Sequence, residues 1–302
     1  MSWVVPGLLY AFFNSVVIFV NEKFKMQPSF LGMYRGFGSM AVALPFVFGV
    51  APPTDVWFWV FACLQGIMVG FFDYRLFASS ARYGAGGTSM MTVLAIVLTI
   101  VLWWLIDLNR LFALLHDPLV FLGILLSLAG CVGGYLRLAG SQLSKNLLHY
   151  MAPAILALAL MSLNSKNIVS RGTLEQTTLY YIVAIGGVGG LFNAGIYACV
   201  DRARDKGRFW QLIFSHRNLQ GGLLMLLCSV LLMVTKNIAM KSIPNPGFLN
   251  TLALTSPLWV LLINRAEGIH TRISASAAIF TLACIALLVY VSGLPLSAGT
   301  YY

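Results

Sequence analysis

Charged side chains are scarce in this chain. Only 9% of its 302 residues are Asp, Glu, Lys or Arg, and just nine of those are acidic. A soluble domain is about one quarter charged, whereas here 59% of the residues are hydrophobic and the mean hydropathy is +0.86. This composition excludes a soluble enzyme, a disordered chain and a nucleic-acid-binding module. We therefore expect a protein embedded in the lipid bilayer, with no nucleic-acid partner.

The motifs of cofactor and metal chemistry are also missing. The five cysteines lie in apolar stretches without a CxxC pair, and none of the four histidines has a second histidine at metal-ligand spacing. The ATP-binding pattern GxxxxGK[ST] does not occur. We predict no metal, no cofactor and no enzymatic activity, so a gradient or an exchange would drive any transport. A lipid-modifying membrane enzyme is the alternative from another class, and it would need clustered His or carboxylates at one membrane face.

The hydrophobic residues are concentrated in long apolar stretches. A membrane-spanning helix needs about 20 mostly apolar residues, and in hydrocarbon each backbone amide must be satisfied within its own helix. The sequence predicts an all-α integral membrane protein with ten transmembrane helices. They run near residues 3–22, 29–50, 56–78, 87–106, 118–138, 149–169, 176–200, 219–240, 247–264 and 274–293.

The chain divides into two similar halves, which we place at residues 1–145 and 146–302. Asn21-Glu22-Lys23 ends the first predicted helix, and Asn164-Ser165-Lys166 lies near the end of the sixth. Tyr74-Arg75 and Thr235-Lys236 occupy similar positions in the third and eighth. Because five is odd, the second half must enter the membrane from the opposite side. This parity predicts two inverted five-helix repeats, an arrangement typical of transporters that bind substrate at the repeat interface and work by alternating access.

At this level the chain resembles a known family. The ten-helix, five-plus-five layout, Tyr34-Arg35-Gly36 early in the second helix, and the proline-centred ninth helix around Pro257 are similar to the EamA-like branch of the drug/metabolite transporter (DMT) superfamily. The resemblance covers the whole chain, although the fourth helix has Ile96 where the ninth has Pro257. It implies a metabolite transporter, and we expect a monomer or homodimer in a bacterial inner (plasma) membrane.

Basic residues are unevenly distributed between the two ends of the predicted helices. Twelve of the 19 Lys and Arg residues lie in or beside the loops that follow odd-numbered helices, and four lie in or beside the loops that follow even-numbered helices. The positive-inside rule would place the odd loops in the cytoplasm. The family resemblance implies the reverse orientation, so both orientations remain open.

Polar residues inside the spans are the candidates for substrate binding. An ionisable group at the centre of a membrane helix costs about 2.5–3.5 kcal/mol, which makes it a functional candidate by default. Guanidinium and ammonium groups suit phosphate or carboxylate, while lysines near helix ends can also extend to the headgroups without any such role. The predicted substrate-binding residues are Lys23, Arg35, Arg75, Asn164, Lys166 and Lys236.

Three further residues are candidates for coupling or gating. Asp73 is, by the predicted boundaries, the one acidic residue well inside a span. It could couple transport to protons or cations, or it could form a structural ion pair with Arg35 on the neighbouring helix. Pro257 predicts a kink in the ninth helix because it removes a helical hydrogen bond. Tyr34, beside Arg35, completes the set.

Two functional hypotheses follow. The first is a secondary transporter of a small anionic metabolite that carries a phosphate or carboxylate. In that case the lysines and arginines bind the anionic group. The alternative is an EamA-like exporter of amino acids or other neutral metabolites, in which the lysines merely reach toward the headgroups and transport survives their removal.

Overall fold

The computed structural model describes residues 3–139, 144–205, 208–243, 246–268 and 275–292, and this part of the chain consists of helices and short connections, without a strand. Eight of its helices are long and apolar enough to cross a membrane, so the protein is an all-α membrane protein. The α-helices are α1 Val4–Phe24, α2 Pro28–Met33, α3 Ser39–Val47, α4 Val56–Tyr83, α5 Ala85–Ile106, α6 Leu108–His116, α7 Pro118–Ala139, α8 Lys145–Val169, α9 Leu174–Ile196, α10 Arg202–Asp205, α11 Phe209–Ile213, α12 His216–Ser242, α13 Pro246–Ala253, α14 Ser256–Ala266 and α15 Ala275–Ser292.

Three of the predicted spans are interrupted. A π-helical turn at Tyr34–Gly38 joins α2 to α3, and a second at Tyr197–Asp201 joins α9 to α10. The predicted ninth span stops at Ala253 and restarts at Ser256. The interruption near Pro257 is therefore a break between two helices, whereas the sequence predicted a kink within one helix. Pro257 lies instead in the first turn of α14, where a missing N–H leaves no helical hydrogen bond unmade.

Local signals explain several of the helix ends. The Asp55 carboxylate accepts a hydrogen bond of 2.9 Å from the Trp57 amide and caps α4. Thr173 and Gln176 form a reciprocal capping box at the start of α9. Between α4 and α5 the chain turns at Gly84 alone, whose φ of 85° suits glycine. This single-residue turn keeps α4 and α5 helical to within one residue of each other.

Glycines allow the second and seventh predicted spans to cross in backbone contact. A Cβ added at Gly36 would lie 2.5 Å from the Gly190 nitrogen, and one at Gly186 would lie 2.6 Å from the Gly36 carbonyl oxygen. These glycines belong to two of the GxxxG spacings in the sequence, and such spacings favour close helix approach. The crossing leaves no room for a side chain at either position.

The principal helix contacts join residues 1–145 to residues 146–302. Helix α1 packs along α12, and α8 packs along α4. In the same way, α1 touches α13 and α14 while α8 touches α5, and α7 pairs with α15. The interior of the bundle therefore lies between the two halves of the chain.

The helix ends meet at two opposite faces. At the first face, the Glu22 carboxylate accepts from the Ala85 amide at 3.0 Å and Lys23 pairs with Glu267 at 2.6 Å. At the second face, Arg171 pairs with Asp55 at 2.6 Å. Helix α1 thus ends at the first face and α8 ends at the second, so these two helices run in opposite directions.

Candidate functional site

A small polar cavity lies between the halves, enclosed by α1, α4, α5, α8 and α13. Its volume is about 20 Å³, room for about one water molecule. The Thr92, Thr99 and Ser162 hydroxyls donate to carbonyls of their own helices, at 2.6, 2.8 and 2.9 Å, which leaves their oxygen lone pairs able to accept. The polar lining residues are Tyr10, Asn14, Thr92, Thr99, Ser162 and Asn250.

Lys236 is a buried cation close to this cavity. Its exposure is 9%, and its ammonium donates to the Ser165 hydroxyl at 2.7 Å and the Tyr181 hydroxyl at 3.3 Å. Within the described ranges, no carboxylate lies within ion-pairing distance of it. Tyr10, which lines the cavity, lies close enough to Lys236 for an electrostatic interaction. Among the described residues, the positive charge of Lys236 is therefore stabilised by neutral groups only: the two hydroxyls and the face of the Tyr181 ring, whose centroid lies 5.9 Å from the ammonium nitrogen.

A chain of hydrogen bonds connects Lys236 to Asn164. The Gln65 amide donates to the Ser165 hydroxyl at 3.1 Å, and the Asn164 amide donates to the Gln65 side-chain oxygen at 2.9 Å. The structure thus brings together two of the predicted binding residues through Gln65 and Ser165. Ser165 was not among the predicted binding residues, although the sequence places it directly between Asn164 and Lys166. Tyr181 was considered only as an aromatic ring that could face a cation, and its ring does lie beneath the Lys236 ammonium.

Asn237, the neighbour of Lys236, is fully buried. Neither its side-chain oxygen nor its nitrogen has a hydrogen-bond partner among the described residues. A buried polar group without a partner costs about 1–3 kcal/mol. The Asn237 amide is thus able to donate and accept further hydrogen bonds in the interior beside Lys236.

Arg35 and Asp73 form a buried ion pair between the first π-helical turn and α4. Their exposures are 7% and 2%. The predicted contact between these residues is confirmed, and it neutralises the charge of Arg35. The Arg35 Nε atom has no partner within the described part of the chain.

The remaining predicted cations lie apart from Lys236. Lys23 is at the first face, paired with the half-exposed Glu267. Lys166 donates to the carbonyls of Met240 and Ile243 at 3.0 and 2.5 Å, at the end of α12 near the second face. Arg75 stacks on Tyr150 at the outer side of α4. Lys23 and Lys166 therefore lie at opposite faces, and Arg75 lies on the outer side of the bundle while Lys236 is buried inside it.

Tyr34 and Pro257 mark two joints of the fold. The Tyr34 hydroxyl donates to the Ile213 carbonyl at 2.5 Å, and its ring packs where a Cβ at Gly222 would lie. Ser256, beside Pro257, donates to the Ala11 carbonyl at 3.0 Å. The start of α14 is thereby attached to α1.

A second buried acid escaped the sequence analysis. Asp201 has an exposure of 4% and accepts a hydrogen bond of 2.8 Å from Ser29. The predicted seventh span ended at residue 200, but the π-helical turn carries the helix onward through Asp201. Asp201 is the last residue of the candidate span Leu174–Asp201, so among the described residues Asp73 is still the one acid well inside a span.

Comparisons with known proteins give information on the fold of this chain and not on its function. No family model matches the chain, and no curated protein matches it. One solved structure, described as "Crystal structure of protein", is similar over 98% of this chain and 99% of its own, with a TM-score of 0.62 and 16% identity. The likeness shows that the whole chain adopts a fold found in an experimentally determined structure.

Proposed function

We propose that the protein is a secondary transporter of a small metabolite that carries a carboxylate or phosphate. Lys236 binds the acidic group, and the hydroxyl and amide groups of the neighbouring cavity accept the other hydrogen-bond donors of the solute once the two halves move apart, because in this structure the cavity has room for only about one water molecule. No acidic side chain among the described residues neutralises Lys236, and this observation carries the proposal. An anionic solute would supply the missing charge.

The physical argument concerns the cost of an isolated buried charge. Removing an ammonium from water costs several kcal/mol unless a counter-charge and hydrogen bonds compensate. Ser165 and Tyr181 supply hydrogen bonds but no charge. Ionisable residues inside a membrane bundle mark substrate or ion pathways, so a cation retained here on neutral partners fits a binding role better than a packing role.

The architecture supports alternating access. We propose that residues 1–145 and 146–302 are inverted repeats, as the resemblance to the DMT superfamily implies. The reciprocal packing of α1 on α12 and α8 on α4, the opposite directions of α1 and α8, and a π-helical turn in each of the two crossing spans support this proposal. Transporters of this kind bind solutes at the repeat interface, beside interrupted helices; here Asn250 and Ala253 of α13 line the cavity next to the break.

Transport in proteoliposomes tests the assignment. The purified protein is reconstituted with a panel of phosphorylated, carboxylated and neutral metabolites inside, and exchange against each labelled solute is measured. Loss of a charged hydrogen bond costs about 1.5–3 kcal/mol, so Lys236→Gln should weaken the apparent affinity for the transported anion by about 10- to 100-fold. Lys241→Gln on the same helix is the matched control, since Lys241 binds the Gly172 carbonyl at the second face. Undiminished exchange of every anion by Lys236→Gln would refute the assignment.

The neutral lining of the cavity favours a second candidate, export of amino acids or other neutral metabolites. All six polar lining residues are uncharged. In that case Lys236→Gln leaves transport of the neutral solute intact, while Thr99→Val and Asn250→Leu reduce it. The same panel of solutes and variants therefore distinguishes the two functions.

A further inference from the structure

A wide crevice opens on the outside of the bundle, between α4 and α8 near the first face. Its volume is about 570 Å³. We call it the Arg75 crevice; its lining residues are Arg75, Tyr83, Asn146, His149, Tyr150, Ala152 and Pro153. It is distinct from the interior cavity, which shares none of these residues.

The guanidinium of Arg75 is held rigidly in this crevice. Its central carbon lies 4.6 Å from the ring centroid of Tyr150 and 5.6 Å from that of Phe71. One nitrogen donates to the Tyr150 carbonyl at 3.3 Å. Stacking and this one bond fix the plane of the group while leaving further N–H donors for a ligand. A pre-oriented guanidinium suits the bidentate binding of a phosphate.

The lining of the crevice is basic or neutral. Besides Arg75, it offers the His149 ring, the Asn146 amide and the hydroxyls of the two tyrosines, and it includes no acidic residue. Helix α8 begins at Lys145, so its positive N-terminal end points toward the same region. Both the side chains and the helix dipole therefore favour an anion.

The position of the crevice indicates where that anion comes from. Arg75 is two helical turns before the end of α4 at Tyr83, which is about 12 Å along the axis. Ala152, Pro153 and Leu156 of α8 are exposed on the outer surface, and Ile67 is exposed on α4. A polar head bound by Arg75 would thus have an apolar helix surface directly beneath it, toward the bilayer centre, against which an acyl chain could lie.

We propose that the Arg75 crevice binds the phosphate headgroup of an anionic phospholipid. Arg75 is the principal ligand, with His149 and Asn146 as further donors, and the acyl chain lies along the exposed apolar surfaces of α4 and α8. Basic pockets between membrane helices bind anionic lipid heads in this way. The proposal does not depend on the transported solute, because Lys236 and the interior cavity take no part in it.

Native mass spectrometry of the purified full-length chain tests the proposal. The protein is equilibrated with equal amounts of phosphatidylglycerol and phosphatidylcholine, and the bound lipids are counted. The wild type should retain phosphatidylglycerol preferentially. Loss of the charged contact in Arg75→Gln should reduce that preference about tenfold. His149→Glu, which adds an anion at an exposed position, should reduce it as well. Arg137→Gln, an exposed arginine near the same face, should leave it unchanged.

A soluble phosphate compound separates a lipid site from a simple anion site. Glycerol 3-phosphate, added in excess, should fail to displace the bound phosphatidylglycerol because it lacks acyl chains. Displacement by glycerol 3-phosphate, or equal retention of the two lipids by the wild type, would overturn the proposal. So would an unchanged lipid preference in both Arg75→Gln and His149→Glu.

Discussion

Arg35 and Lys236 are both cations buried in the bundle, yet their surroundings differ. Arg35 pairs with the carboxylate of Asp73, which is itself buried. Among the described residues Lys236 has only neutral partners, the hydroxyls of Ser165 and Tyr181 and the Tyr181 ring. Both stand inside predicted helices, and both were predicted to bind substrate. The presence of a counter-charge is what separates them.

This difference suggests how to sort intramembrane charges. A neutralised pair is complete without a ligand, and its loss should be felt mainly in folding. A cation on neutral partners is incomplete, and its loss should be felt mainly in binding. The variants below test that division, beginning with the largest expected effect.

Asp73→Asn should cause the greatest loss of stability. It leaves Arg35 as a buried, unpaired charge, and breaking a buried pair costs about 3–5 kcal/mol. The free energy of unfolding in detergent, measured by denaturant titration, checks the expectation. The double variant with Arg35→Gln should recover part of the loss, because the uncompensated charge is removed. A single variant as stable as the wild type would show that the pair contributes nothing to the fold.

Gly36→Ala should come second, since Gly36 adjoins Arg35 and lies in the helix crossing. The added Cβ would meet the Gly190 backbone at 2.5 Å, and such overpacking costs about 1–3 kcal/mol. Gly133→Ala is the matched control, since nothing lies within 4 Å of a Cβ there. Relative to the wild type, Gly36→Ala should lower the midpoint of thermal unfolding more than Gly133→Ala does. Equal midpoints in the two variants would contradict the tight crossing.

Lys236→Met should behave in the opposite way to Asp73→Asn. It replaces a charged side chain by an apolar one of similar length and removes the uncompensated charge, so stability should rise by about 1 kcal/mol. Transport of the anionic solute should be lost in the same protein. Thermal unfolding and proteoliposome exchange are measured side by side. If Lys236→Met is strongly destabilised, Lys236 contributes to folding as Arg35 does, and its assignment to substrate binding is contradicted.

Asp55→Asn should have the smallest effect, because the Asp55–Arg171 pair lies at the exposed second face. The hydrogen bond from Arg171, and then that from the Trp57 amide, lower the pKa of Asp55 from its usual value of 3.8. Because the pKa is lower in the folded state, the ion pair stabilises the fold fully at pH values above 3.8, the usual pKa of the carboxyl. This stabilisation is lost as the pH falls through the lower pKa of the folded state. Wild type and variant should therefore differ slightly at about pH 6, and the difference should be smaller at about pH 3. Unfolding midpoints at both pH values check this, and a gap that widens in acid would contradict it.

Hydropathy was sufficient to predict an all-α membrane fold, because long apolar stretches are visible directly in the sequence. The ion pair of Asp73 with Arg35 was one of two alternatives for Asp73, and it is present in the structure. The π-helical turns at Tyr34–Gly38 and Tyr197–Asp201 were not predicted, because one extra residue in a turn leaves the apolar pattern intact. This is also why Asp201 was misplaced outside its helix.

The composition of the interior site was predicted only in part. Asn164 and Lys236 were singled out as polar residues in apolar stretches, and they share one hydrogen-bond chain. The separation of Lys23, Lys166 and Arg75 from that chain depends on how the helices are rotated. Rotation about a helix axis is set by packing between distant segments, on which a single sequence carries little information.

The break between α13 and α14 has a practical consequence for mutagenesis. Pro257 has no N–H to offer the carbonyl of Ala253, four residues earlier, and Ala253 borders the interior cavity. That carbonyl belongs to the main chain, so substitution of one side chain by another leaves it in place. An alanine scan of this segment would underrate it, whereas replacing single peptide bonds with esters would reveal how far the main chain itself contributes.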